Sequence, residues 1–234
     1  MALFCQMFAN VQHNISVKNA RVLRPGKSSG DLRTEKRLDL LKKSLPARVA
    51  RQDDVIAAFQ AGQVIFGENY VQEFIGKAQE VAEPVEWHFI GHLQRNKAKI
   101  VAPVASVVHT VDSARLAEEL GKRAGASLPV LVEVNVGGED QKSGCRAAEL
   151  GAVLDAVEKE TTLRLRGLMT VPPLSDDPLT SRPFFEQLVA IRSEHGGPQR
   201  LPDLSMGMSH DLEEAIRAGA TIVRVGTAIF GARS

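Results

Sequence analysis

The chain has 234 residues, 44% of them hydrophobic and 24% charged, enough to bury a large core within one domain. Its 29 basic and 28 acidic residues leave a formal net charge of +1, which argues against bulk attraction to nucleic acid or to an acidic membrane. Two cysteines, Cys5 and Cys145, lie far apart without metal-type spacing or a disulfide framework, so a reducing cytoplasm is the expected setting.

The opening MALFCQMFANVQ lacks a basic stretch before a long apolar run, and no window approaches ~20 consecutive apolar residues. Neither a secretory signal nor a membrane span is expected. Residues 21–51 carry ten Lys or Arg, with Gly, Ser and Pro interspersed. Their one candidate strand is RLDLLKKS (37–44), interrupted by Asp39, whereas a central barrel strand is a nearly continuous Val/Ile/Leu run. Residues 1–52 therefore read as an atypical basic N-terminal segment, either a basic arm or the carrier of the first strand, and 53–234 as the body.

Asp53 and Asp54 open a helix, VIAAFQA, that ends at Gly62, with acids at its start and glycine past its end. VIF (64–66) is a short strand, followed by a helix over NYVQEFIGKAQEV. WHFI (87–90) is a strand before the basic helix LQRNKAKIV, and VVHTV (107–111) precedes a helix that Ser113 caps. PVLVEVNV (129–136), LRLRGLMTV (163–171), DLSMGM (203–208) and TIVRVGT (221–227) complete the strands, each followed by a helix or helical turn. Seven strand-then-helix units mean an α/β chain with a parallel sheet. An eighth strand near the N-terminus makes a single (β/α)8 TIM-type barrel, with that first strand atypical.

In such folds ligands bind at the carboxyl ends of the strands. Met206, Gly207, Met208 and Ser209 sit between a strand and a helix, and Gly226 and Thr227 follow IVRV in the same way. Backbone amides at two adjacent helix starts, each with a hydroxyl, suit a phosphate; the same glycines and hydroxyls also serve tight turns and caps. Arg224 alternates with Val223 and Val225 and so points into the barrel, where it needs an acceptor. The partner is either a strand acid such as Glu133 or a bound ligand. Asn69 either contacts a ligand oxygen or caps its own helix. His88, inside an apolar run, reads as a core histidine. Arg95, Lys97 and Lys99 alternate with apolar residues, as on a solvated helix face, and no metal cluster, Walker loop or G-x-S-x-G motif is present.

FGENYVQE (66–73), WHFIGHLQRNKAKIV (87–101), GLMTVPP (167–173), LSMGMSHDLEEAI (204–216) and VRVGTAIFGAR (223–233) together give a close resemblance to the pyridoxal 5′-phosphate homeostasis protein family. The resemblance runs in register from residue 53 to the end. It implies a fold-type III barrel like the alanine racemase N-terminal domain, mostly monomeric, with pyridoxal 5′-phosphate (PLP) held on a lysine. It further implies cofactor buffering and delivery, with PLP-dependent apoenzymes as partners and no catalytic residue or metal.

By that resemblance Ser209, Gly226 and Thr227 take the phosphate, with Met208 beside the cofactor, Arg224 by its ring or phosphate, and Asn69 near the ring. The family's lysine motif, like L-x-A-V-S-K-T-x-P, aligns with RLDLLKKSLPA through Leu38, Ser44 and Pro46, which makes Lys43 the Schiff-base residue. Here Leu40, Leu41 and Lys42 replace the apolar A-V-S. Two other readings remain: a small PLP-dependent racemase or decarboxylase, and a barrel without its lysine that binds another phosphorylated ligand.

Overall fold

The computed structural model describes residues 5–10, 52–139 and 141–227. Eight strands close into a barrel: β1 (Cys5–Asn10), β2 (Ile65–Glu68), β3 (Glu86–Phe89), β4 (Val107–Val111), β5 (Leu128–Glu133), β6 (Leu163–Met169), β7 (Asp203–Met208) and β8 (Ile222–Val225). From β2 to β8 each strand pairs in parallel with the next. All seven patterns of the body thus become strands, and the expected barrel is found.

The closing strand is where sequence and structure part. β1 runs antiparallel to both neighbours, pairing Met7 with Phe66 of β2 and Phe8 with Arg224 of β8. The expected first strand, 37–44, lies outside the described residues. The place between β8 and β2 belongs to Cys5–Asn10, in a stretch that showed no strand signal. The physical reason is simple: β2 and β8 would otherwise each leave a row of amides and carbonyls unpaired, and a strand of either direction can satisfy them.

Helices surround the ring: α1 (Gln52–Gln60), α2 (Val71–Glu80), α3 (Ala98–Val101), α4 (Ala114–Arg123), α5 (Leu150–Lys159), α6 (Arg182–Glu194), α7 (Gly197–Arg200) and α8 (Leu212–Ala218). Ser113 caps α4 as expected, accepting from the Leu116 amide, and Gly62 follows α1 with a φ of 90°. Strand residues Phe66, Trp87, Phe89, Val130, Val132 and Leu168 pack outward against Phe74, Leu120, Leu154, Phe185 and Leu188 of the helices in one core. Phe74 meets Phe89 edge-on with centroids 5.6 Å apart. Among the described residues no helix is long and apolar enough to cross a membrane.

A register shift in the β5–β6 pairing puts Val130 opposite Leu165 but Leu131 opposite Gly167, so Arg166 is the extra residue of a bulge. Arg166 uses the bend to reach Asp203 Oδ2 through Nε at 2.9 Å and Nη2 at 2.7 Å, which ties β6 to the start of β7. Gly167 has a φ of 157°, and a Cβ there would lie 1.8 Å from the Asp203 carbonyl oxygen. Relief would require moving β7 itself. Gly167→Ala should therefore cost roughly 2–4 kcal/mol, a melting-point loss on the order of 5–10 °C that thermal unfolding would register.

Candidate functional site

Two βα turns meet at the carboxyl end of the barrel. β7 ends with Gly207 at a φ of 89°, where a Cβ would come within 2.4 Å of Ala215 Cβ on α8. Only glycine lets the strand turn this tightly onto its helix. The turn is pinned by Asp211, whose Oδ1 accepts the Met208 amide at 2.7 Å. Ser209 follows, and its Oγ accepts from the Gly226 amide at 3.1 Å, joining the ends of β7 and β8. Met208, Ser209, Gly226 and the exposed Thr227 therefore share one rim.

Asn69 stands on the same rim, just past β2. It does not cap the helix after it: the N-cap position of α2 is Tyr70, with no side-chain bond. Gly91, after β3, lets that strand pass close to Asn69, since a Cβ there would lie 1.8 Å from the Asn69 carbonyl oxygen. The neighbouring Glu68 faces outward and forms a buried ion pair with Lys77 of α2. Two further polar residues near strand ends have local partners: Asn135 braces its own loop through both the amide and carbonyl of Glu139, and His92 is an exposed partner of Asp112. Lys43 lies outside the described residues.

Arg224 points into the barrel and is 2% exposed. Its Nη1 donates to Ser205 Oγ at 2.9 Å and its Nη2 to the Thr170 carbonyl at 3.0 Å. Burial lowers its pKa to about 10, with the charges of Glu133 and Asp211 opposing, so it stays cationic at neutral pH. The serine continues the contact. Ser205 Oγ lies 2.9 Å from His109 Nδ1, and His109 Nε2 lies 2.9 Å from His88 Nδ1.

A guanidinium has no acceptor, so Ser205 Oγ accepts from Arg224; its one hydrogen and second lone pair let it either donate to His109 Nδ1 or accept from it. The roles in the His109–His88 bond follow the tautomers of the two rings. His88 Nε2 lies 3.9 Å from Glu86 Oε2 at the opposite end of the barrel. Burial keeps His109 well below the ordinary histidine range, reinforced by the Arg224 charge. Burial also lowers His88, against the pull of Glu86. Burial thus favours the neutral form of both rings.

Sequence reasoning placed His88 in the core but missed His109, Ser205 and the chain they form. The available signal was parity: each sits on the inward face of its strand. Glu133 was considered only as a possible ion-pair partner of Arg224. Its carboxyl is nearly buried, Oε2 has no hydrogen-bond partner among the described residues, and desolvation, aided by Asp112, raises its pKa to about 7 despite Arg224.

Comparison with known proteins places these features in context. The family model "Alanine racemase, N-terminal domain" matches residues 50–234. A Pseudomonas aeruginosa protein named pyridoxal phosphate homeostasis protein is 40% identical over 229 residues, covering 96% of each chain. One of the same name from Aquifex aeolicus is 41% identical over 197 residues, covering 82% of this chain and 84% of its own. The solved structure of PipY from Synechococcus elongatus with PLP bound is 33% identical with a TM-score of 0.72, covering 84% of this chain and 99% of PipY. Alanine racemase from Corynebacterium glutamicum, 15% identical with a TM-score of 0.65, shares the fold.

The orphan carboxyl yields a stability prediction with a definite sign. Glu133 binds its proton more tightly folded than unfolded, so its contribution is favourable below about pH 4.5 and is lost as pH rises towards about 7. Glu133→Gln, which cannot ionise, should gain stability relative to the parent across that window. The difference, approaching about 3 kcal/mol above neutrality, is read from denaturant unfolding at a series of pH values.

Proposed function

The chain belongs to the pyridoxal phosphate homeostasis protein family, and from that premise we propose that it binds PLP at the carboxyl rim of its barrel and buffers and delivers the cofactor. The observation that carries this reading is the bond from the Gly226 amide to Ser209 Oγ, which gathers a hydroxyl, an amide and the nearby Thr227 hydroxyl at the ends of two adjacent strands. These groups suit a phosphate monoester, and the buried cation Arg224 supplies positive potential beneath them. The residues present therefore fit the group.

Ser209, Gly226 and Thr227 hold the phosphate, Met208 lies against the cofactor, Arg224 faces its ring or phosphate, and Asn69 lies near the ring. Lys43 forms the covalent link, carried by a basic segment, 1–52, ahead of the binding body, 53–234. When bound, the cofactor supplies a reactive aldehyde on an electron-withdrawing ring. The relay from Ser205 to His88 orients Arg224, and its two neutral imidazoles leave the guanidinium charge undiminished.

The protein acts as a cytoplasmic monomer that passes PLP to apoenzymes rather than as a racemase or decarboxylase. Protected amino-acid chemistry needs a second proton carrier opposite the lysine. Cys145 is unsuited, since burial raises its thiol to about 12, and Tyr70 stands 38% exposed at the start of α2.

Borohydride reduction of protein incubated with PLP, followed by peptide mass mapping, should find the pyridoxyl group on Lys43 and none in Lys43→Ala. An adduct on another lysine would refute the Lys43 assignment; no binding at all would leave a barrel for some other phosphorylated ligand. Ser209→Ala should weaken PLP binding about tenfold in a fluorescence titration. Racemisation of alanine by the loaded protein should not exceed that of free PLP, and a clear excess would make the protein an enzyme.

A further inference from the structure

Glu133 ends β5 at the same rim. Val132 and Val134, on either side of it, pack in the core shared with the helices, so alternation turns Glu133 and Leu131 towards the barrel interior. The residue is 7% exposed, and its Oε2 has no hydrogen-bond partner among the described residues. The loop from Gly144 to Cys145 closes over one flank: a Cβ on Gly144 would lie 3.2 Å from Glu133 Cγ and 2.8 Å from the Asn135 amide nitrogen. The other flank looks to Met169, its register partner on β6.

Among the described residues the charged surroundings are few and can be named. Arg224, from β8, favours the carboxylate, and Asp112, after β4, opposes it; Cys145, on the covering loop, stays a neutral thiol. Arg224 spends its two bonds on Ser205 and Thr170, not on Glu133. Among the described residues a buried acceptor is thus left without a donor, near a cation that only donates. A ligand complementary to the two carries an acceptor or anion for Arg224 and a donor for Glu133.

We propose that Glu133 is a specificity-determining residue of the rim, whose carboxylate accepts a hydrogen bond from a basic amine on the ligand while Arg224 faces the ligand's acceptor groups. This rests on the PLP reading above and narrows it: the site prefers phosphorylated pyridoxal compounds in their amine form over those lacking the amine. Burial holds the Glu133 carboxyl at about 7, and an ammonium beside it would pull that value down. Amine binding therefore releases a proton, and affinity for the amine falls as pH drops below neutrality.

The test uses two ligands without an aldehyde, so that no lysine reacts: pyridoxamine 5′-phosphate and 4-deoxypyridoxine 5′-phosphate. Both share the ring and the phosphate, so the ratio of their affinities isolates the amine. Titrating the full chain by calorimetry should give a preference for the amine of about tenfold near pH 8, shrinking towards parity near pH 6. In Glu133→Gln the preference should vanish at both pH values while 4-deoxypyridoxine 5′-phosphate binds as before. Equal affinities at the higher pH, a preference that does not change with pH, or one that survives in Glu133→Gln would overturn the proposal. The pH dependence of the unmodified chain decides the matter even if the variant folds poorly. If the unmodified chain binds neither ligand, the PLP reading falls, and this inference falls with it.

Discussion

A guanidinium inside the barrel is the constraint on which the rest of the interior depends. Arg224 is almost fully buried, and an unpaired charge there would be far more costly than the few kcal/mol that separate folded from unfolded chains. Its two bonds, to Ser205 Oγ and the Thr170 carbonyl, anchor it to β7 and to the end of β6. Ser205 accepts from Arg224 and also bonds His109, and His109 bonds His88, so one charge at the rim is tied through a serine to two rings deeper in the barrel.

The same constraint bears on why the interior is largely polar while the outer layer, apart from the Glu68–Lys77 ion pair, is apolar. Between strands and helices the chain uses Phe66, Phe89, Leu168 and similar residues, packed without a polar partner. The inward face carries glycine, serine, histidine, arginine and glutamate at corresponding positions. A barrel interior filled only by Val, Ile and Leu would be more stable and would hold nothing. The polar set finds its partners largely within the barrel; Glu133 Oε2 finds none among the described residues, and it lies at the rim where ligands bind in folds of this kind.

Much of this was legible in the sequence because it is local. Alternation in IVRV was enough to turn Arg224 inward, and the pattern of VVHTV, PVLVEVNV and DLSMGM was enough to place three strands. The glycines and hydroxyls at Ser209, Gly226 and Thr227 marked two turns at one end of a sheet, and the structure joins them by the bond from Gly226 to Ser209. Asn69 left two readings open, and the position of Tyr70 at the start of α2 removed the capping one. The bulge at Arg166 was invisible, because it shows only in how β6 registers against β5.

What the sequence determined by itself is the repeating strand-and-helix order, the outward core and the residues of the rim. Each of these rests on periodicity or turn chemistry within a few residues. Tertiary structure alone decided three things. It chose Cys5–Asn10 to close the ring, because pairing of two distant edges carries no local signal. It assembled His88, His109, Ser205 and Arg224 into one connected chain, because their contacts span up to 96 residues of sequence. Among the described residues it left Glu133 Oε2 without a donor, because an orphaned group is defined by what surrounds it and not by its neighbours along the chain.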